Sequence, residues 1–195
     1  MYFLFLFTAF SLVQVNATTS TEIYEDVQTV SYVNLNKYLG SWYEIAAIPQ
    51  VFQKKCVKNT QANYEIEDST GYVIVNNTCE EADGSVKVAE GRARIENEKS
   101  QAELKVTFVK LFDWVFTFGG NYWVIGLQRD YQWAVVGHPS REYGWILSRD
   151  PNMSKRSLRA AHNVLLKNGY DTCTLMVSIQ DGGRQVNQPL CEIFE

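Results

Sequence analysis

The sequence is poor in the residues from which metal centres and catalytic nucleophiles are usually built. Its 195 residues include only two histidines, His138 and His162, and four cysteines with no Cys-x-x-Cys spacing. A structural zinc site needs four such ligands at short spacings, so the pattern does not favour one. We expect both histidines at the surface. The chain also lacks a Gly-x-Ser-x-Gly motif and a nucleotide-binding glycine loop, so we predict no metal and no cofactor.

Basic runs and long apolar runs are also absent. The 18 Lys and Arg residues against 22 Asp and Glu residues give a net charge of −4, which argues against a nucleic-acid partner. Beyond residue 17, no segment approaches the roughly 20 apolar residues that a membrane-spanning helix needs. A chain of this length suits one domain.

The first 17 residues contain no charged side chain and carry an apolar run from Tyr2 to Val13. Small residues in Val15-Asn16-Ala17 fit signal-peptidase cleavage, so we predict a secretory signal peptide over residues 1–17. A short apolar core segment is the alternative, because Lys and Arg are missing from the start of the run. A secreted, extracellular protein is therefore expected, and its two sequons, at Asn76 and Asn152, are open to glycosylation.

Four cysteines are an even number in a chain predicted to be secreted. We therefore expect two disulfides, and at this point three pairings are open.

Most of the chain alternates short strands with tight turns. About eight strands follow one another up to Arg149 with no helix between them. One of them, "AELKVTF", places Ala102, Leu104, Val106 and Phe108 on one face. This order predicts an antiparallel meander, either a sandwich or a barrel, and eight strands can close around a small interior.

The apolar pattern takes a helical period after Pro151. Apolar residues such as Ala161 and Leu165 form one stripe, Ser154 is the predicted N-cap, and Asn168-Gly169 is the predicted C-cap. We expect this helix to pack outside the sheet. The predicted organisation is a flexible lead at residues 18–32, a barrel plus helix at residues 33–181, and a tail at residues 182–195.

Three motifs, in order, resemble the signatures of the lipocalin family. Gly40-Ser41-Trp42 resembles the first, "LQRDYQWAVV" the second, and "YGWILSRDP", which contains Arg149, the third. Longer stretches such as "NLNKYLGSWYEIAAIPQVFQ" are similar to the branch containing apolipoprotein D and the bacterial lipocalin Blc. The resemblance covers roughly residues 33–180. It implies an eight-stranded antiparallel up-and-down β-barrel, closed at one end, that carries a small apolar molecule.

The resemblance also implies roles for single residues. It places Trp42 inside the closed end with the guanidinium of Arg149 across its indole, so we interpret Gly40, Trp42 and Arg149 as structural. Strand alternation and the resemblance together nominate seven cavity-lining residues: Tyr64, Val106, Phe108, Tyr122, Val124, Trp145 and Leu147. A barrel plugged by its own side chains is the alternative.

Two further features concern the mouth and the inner face. The resemblance places the apolar stretch from Leu111 to Phe118 near the open end, where exposed aromatics would contact a membrane or a lipoprotein particle. Alternatively, the stretch folds back as a rim that covers the cavity. Glu44 shares the face of Trp42, and a carboxylate there needs a partner. Tyrosine hydroxyls and Arg149 are the candidates.

For the cysteines, the pairing of neighbouring strands favours the local bridges Cys56–Cys79 and Cys173–Cys191. The resemblance to apolipoprotein D-like and insect lipocalins implies the alternative, Cys56–Cys191 with Cys79–Cys173.

The expected function is extracellular binding and transport of a small hydrophobic molecule, such as a fatty acid, lysophospholipid, sterol, retinoid or bilin. A lipid-modifying lipocalin enzyme is the alternative, since a few lipocalins isomerise or de-epoxidise lipids. The isomerase uses a free cavity cysteine, whereas the even cysteine count here predicts none. A third interpretation is a module that binds proteins or cell surfaces through the aromatic loop or the helix. The sequence identifies neither the ligand nor the oligomeric state.

Overall fold

A computed structural model of the protein describes residues 26–194, so the predicted signal peptide lies outside the described residues. Eight antiparallel strands wind up and down, each hydrogen-bonded to the next. A ninth, two-residue strand follows later in the chain. The strands are β1 (Gly40–Ala47), β2 (Cys56–Ile66), β3 (Val73–Glu81), β4 (Val86–Ile95), β5 (Glu103–Thr107), β6 (Gly120–Leu127), β7 (Trp133–Gly137), β8 (Gly144–Ser148) and β9 (Met176–Val177).

The sheet closes on itself through β1. Its lower half pairs with β2, where Gly40 lies opposite Tyr64, and it also pairs with β8, where Tyr43 lies opposite Ser148. The upper half of β1 pairs with β9. The prediction of an eight-stranded up-and-down barrel with a helix outside is therefore confirmed.

A short helix and the segment before it cover one end of the barrel. Helix α1 (Leu35–Tyr38) is capped by Asn34, whose side chain accepts a hydrogen bond from the backbone of Lys37. The backbone N–H of Val30 donates to the carbonyl of Val124, and Val27 is buried. The described part of the predicted flexible lead, residues 26–32, is thus packed against the barrel. Val27 and Val30, three positions apart, both pack against core residues, which explains why this part of the lead is packed rather than flexible.

The second helix, α2 (Lys155–Lys167), packs on the outer wall of the barrel, as expected. The Ser154 side chain caps it by accepting from the backbone of Ser157, and Gly169 follows its end with a φ of 73°. Its buried face includes Leu158 and Leu165. His162, expected at the surface, is also buried, because its ring lies 4.5 Å from that of Phe194 and its Nε2 is 2.9 Å from Thr172 Oγ1. Within residues 26–194, neither α-helix is long and apolar enough to cross a membrane.

The segment after α2 fills the gap where β1 and β2 separate near the open end. The side chain of Gln180 donates to the carbonyl of Glu44 on β1 and to that of Thr60 on β2. The described part of the predicted tail is packed at Leu190, which is fully buried in the core beside α2.

Candidate ligand-binding cavity

The closed end of the barrel is built around Trp42. Its ring is fully buried, and its indole N–H donates to the carbonyl of Tyr38 at 2.8 Å. The guanidinium carbon of Arg149 lies 3.8 Å from the ring centre. A contact of this kind is worth up to about 2 kcal/mol when desolvated. The same guanidinium donates to four backbone carbonyls, those of Lys37, Tyr38, Leu39 and Ser41.

Gly40 explains how the chain passes so close to that guanidinium. Its φ is +87°, a conformation that favours glycine, and a Cβ at this position would lie 3.4 Å from Arg149 Nη1. The Gly-x-Trp motif therefore joins a backbone bend to the floor of the barrel, and neither Trp42 nor Arg149 lines the cavity above it.

Above this floor the barrel contains a narrow cavity of about 20 Å³, roughly the space that one water molecule needs. Nine of its twelve lining residues are aliphatic, three are tyrosines, and none is charged. The lining residues are Val33, Leu35, Tyr38, Leu39, Tyr64, Val73, Val75, Ala93, Leu104, Val106, Tyr122 and Val124. Four of the seven nominated residues, Tyr64, Val106, Tyr122 and Val124, are therefore brought together on its wall.

The other three nominated residues lie inside the barrel but not on this wall. Leu147 is buried in the inner core, and Trp145 packs against that core while partly exposed. Phe108 lies one residue beyond the end of β5 and is 46% exposed. A Cβ on Gly91 would come within 2.8 Å of the Phe108 ring. Because Gly91 shares its face of β4 with Ala93 of the inner core, Phe108 lies on the inner side of the barrel near its mouth.

Three tyrosines meet within the lower barrel. The hydroxyl oxygen of Tyr122 lies 2.8 Å from that of Tyr38 and 3.1 Å from that of Tyr64. Burial raises the pKa of Tyr64 to about 12 and also raises the pKa values of Tyr38 and Tyr122. All three hydroxyls therefore keep their protons at neutral pH. Sequence reasoning missed Tyr38, although an aromatic residue just before the Gly-x-Trp motif was a usable signal.

Glu44 is buried with two neutral partners. Its carboxylate accepts from Ser178 Oγ at 2.6 Å and from Gln53 Nε2 at 2.9 Å. Burial raises the pKa of this carboxyl, and the two hydrogen bonds offset part of that effect. The proposed partners, a tyrosine hydroxyl or Arg149, do not contact it. Gln53 belongs to the loop between β1 and β2, so Glu44 links that loop at the open end to the segment after β9.

The aromatic loop from Leu111 to Phe118 folds back onto the outer wall, so it is not a rim over the cavity. The Trp114 ring lies 4.8 Å from the guanidinium of Arg92 on the outer face of β4. The Phe116 ring is buried 4.8 Å from the guanidinium of Arg94. The opposite side of the loop is solvent-exposed. Its exposed apolar residues are Leu111, Phe112 and Phe118.

The structure joins the cysteines locally, Cys56 with Cys79 and Cys173 with Cys191, and leaves none of the four free. Asn76 alternates with the inward-facing Val75 on β3, so its side chain points outward. Asn152 is exposed in the turn before α2. Both sequons are therefore on the outer surface.

An eight-stranded barrel with a tryptophan-arginine floor and an apolar interior defines a lipocalin-type calyx. The model of the lipocalin-like domain family matches residues 33–180. The outer membrane lipoprotein Blc of Vibrio cholerae is 35% identical over 153 residues, which cover 78% of this chain and 85% of that protein. Apolipoprotein D of Macaca fascicularis is 33% identical over 155 residues, 75% and 76% of the two chains.

Among solved structures, insecticyanin from the tobacco hornworm Manduca sexta superposes with a TM-score of 0.63 at 20% identity, covering 85% of this chain and 94% of that one. At this identity the likeness concerns the fold alone. The chain belongs to the lipocalin family, with relatives that include Blc and apolipoprotein D.

Proposed function

We propose that this lipocalin binds and carries a small hydrophobic molecule in its barrel, and that it does so outside the cell. The observation that carries the proposal is the uncharged, apolar cavity above a sealed floor. Burying apolar surface there supplies the binding energy, at roughly 25 cal/mol per Å² as an upper guide. The charge-free leader pattern of residues 1–17 and two disulfides support an extracellular location.

The size of the cavity sets a condition on binding. Its 20 Å³ is far below the roughly 300–1,000 Å³ of typical small-molecule sites, so side chains must move when a ligand enters. Phe108 is the best-placed residue to move, because it lies at the mouth and nearly half of it is already exposed. We expect the ligand to enter past Phe108 and to extend down towards the tyrosines. Trp145 and Leu147 would then form part of the upper wall.

Binding is favoured over catalysis by the state of the cysteines. A thiol-dependent isomerase of the lipocalin type needs a free cysteine in its cavity, and all four cysteines here are bonded in pairs. A thiol assay on the native protein tests this directly. Four unreactive cysteines support the proposal, whereas one reactive thiol would revive the enzyme alternative.

Tryptophan fluorescence during addition of fatty acids, retinoids and bilins tests the binding function. Native mass spectrometry of the protein from its own source would show which molecule co-purifies. We expect a saturable signal with at least one class and a one-to-one complex. The proposal would be rejected if no ligand class changed the tryptophan fluorescence and no small molecule co-purified with the protein.

A second surface function is supported by the exposed side of the aromatic loop. Phe112 is fully exposed, and Leu111 and Phe118 are each more than 70% exposed. We propose that these three residues contact a membrane or lipoprotein surface while Trp114 and Phe116 hold the loop to the barrel. This contact would deliver the carrier to the source of its ligand.

A further inference from the structure

The three tyrosine hydroxyls carry more hydrogen-bond donors than they can use among themselves. Three O–H groups make two contacts, Tyr38 with Tyr122 and Tyr64 with Tyr122. Each contact consumes one donor, so one O–H is left over in every arrangement of the hydrogens. Among residues 26–194, no other acceptor is hydrogen-bonded to these hydroxyls.

A spare donor is costly in a buried position, because it has left water without finding a new acceptor. All three tyrosine rings line the cavity, and two of the rings are less than a tenth exposed. Because burial keeps the three hydroxyls protonated at neutral pH, the spare group is a donor of a neutral hydrogen bond. The spare tyrosine O–H can therefore donate to an acceptor oxygen of a bound ligand.

A second polar group near the tyrosines also has no partner. The side-chain oxygen of Asn77 is buried and accepts no hydrogen bond within the described chain. Asn77 shares the inner face of β3 with Val75, which lies opposite Tyr64, so it is a diagonal neighbour of that tyrosine. Its cross-strand neighbours, Ala62 and Ala89, are both small.

The walls exclude a charged head. No lysine, arginine, aspartate or glutamate lines the cavity, and the guanidinium of Arg149 lies outside it on the ring of Trp42, so an ionised carboxylate would lose its hydration without contacting a counter-ion. A neutral carbonyl loses less hydration free energy on entering the cavity, and one donated hydrogen bond is enough to satisfy its oxygen. We propose that the lipocalin binds its apolar ligand carbonyl-first, with the spare tyrosine O–H donating to a neutral ketone or ester oxygen at the closed end.

This inference rests on the proposed function, but it can be wrong while the proposed function holds. The test uses two ligands of the same shape, 2-decanone and 2-methyl-1-decene, in which a C=O group is replaced by C=CH₂. Their affinities are measured by displacement of a fluorescent apolar dye from the full-length mature protein. The variants are Tyr38→Phe/Tyr64→Phe/Tyr122→Phe, with exposed Tyr32→Phe as the matched control. All three tyrosines must be changed, because any hydroxyl left in place supplies a spare donor.

The preference for ketone over alkene should fall on the order of tenfold in the triple variant, the loss expected for one buried hydrogen bond. Tyr32→Phe should keep the wild-type preference. An unchanged preference in the triple variant would overturn carbonyl-first binding while leaving the carrier function intact. If wild type binds the dye but 2-decanone does not displace it, the carbonyl-first inference is wrong, while the carrier function is decided by the fatty acid, retinoid and bilin titrations above.

A measurement on wild type alone covers the case in which the triple variant does not fold. The carbonyl stretch of ¹³C-labelled 2-decanone moves to lower frequency when its oxygen accepts a hydrogen bond. We expect the bound ketone to absorb at a lower frequency than the same ketone in hexane. Equal frequencies would overturn the proposal.

Discussion

Arg149 and Trp42 form the floor of the barrel as a single unit. The guanidinium lies 3.8 Å from the indole ring centre, and its Nη1 donates to the carbonyl of Ser41, the residue before that tryptophan. The pair therefore joins the end of β8 to the start of β1, which is also where the sheet closes. Neither side chain lines the cavity, so the family signature specifies the container and leaves ligand choice to the residues on the cavity wall.

The first prediction concerns the role of that floor. Trp42→Ala should lower the free energy of unfolding by about 3–5 kcal/mol, because it removes a fully buried ring and leaves Arg149 without its partner. Ligand affinity per folded molecule should change little. Urea melts and ligand titrations on the same samples measure both, with fully exposed Phe112→Ala as the control. Unchanged stability with lost binding would show that Trp42 contacts the ligand.

The second prediction follows from the buried carboxyl of Glu44. Its pKa is raised by burial, so the folded protein holds this proton more tightly than the unfolded chain does. The stability that this group contributes is therefore lost as the pH rises above the ordinary pKa of a glutamate carboxyl, because folding then requires an ionised carboxylate to be buried without a cation beside it. Glu44→Gln removes the ionisation and retains hydrogen-bonding groups for Gln53 and Ser178.

We expect Glu44→Gln to be more stable than wild type at about pH 8, with the difference shrinking towards about pH 4. Urea melts across this range measure it. Exposed Glu98→Gln controls for a general loss of negative charge. A wild type that gains stability over Glu44→Gln as the pH rises would contradict the raised pKa.

The third prediction separates the two sides of the aromatic loop. Leu111→Ser/Phe112→Ser should reduce co-sedimentation with phosphatidylcholine vesicles and change the unfolding free energy by no more than about 0.5 kcal/mol. Phe116→Ser should instead destabilise the fold by about 3 kcal/mol, because Phe116 is buried against Arg94 and Tyr72. Vesicle binding that survives the double substitution would exclude the exposed side as the membrane contact.

The fourth prediction concerns the cysteines. A tryptic map without reduction should contain Cys56 linked to Cys79 and Cys173 linked to Cys191. Cys173→Ala/Cys191→Ala opens a bridge that spans 18 residues, and it should cost about 3 kcal/mol of stability. Peptides linking Cys56 to Cys191 would instead establish the long-range pairing.

Much of the fold followed from local pattern. Strand alternation, turn residues and the change to a helical period after Pro151 are short-range signals, and the barrel and α2 are built from them. Val106 was nominated by alternation and Tyr122 as its follower on the neighbouring strand, and both side chains line the cavity. Phe108 keeps the inner face that alternation assigns to it but lies outside the cavity wall, because β5 ends at Thr107, whose hydroxyl donates to the carbonyl of Val115.

Contacts between distant segments could not be predicted in this way. Ser178 lies 134 residues from Glu44 and reaches it only because β9 pairs with β1. His162 looked like a surface residue on a helix, yet Phe194 near the end of the chain covers it. Neither partner has a local sequence signal, since each position depends on how the chain after α2 returns to the barrel.

The most direct test of ligand carriage blocks the cavity and measures binding. Val106→Phe adds a ring to the cavity wall, whereas Val88→Phe adds the same ring to an outward position on β4 that is 62% exposed. Both are compared with wild type by calorimetric titration of whichever ligand co-purifies, after circular dichroism has shown that each is folded. Binding inside the barrel predicts at least about a tenfold loss of affinity for Val106→Phe and wild-type affinity for Val88→Phe. Equal affinities for all three proteins would contradict it.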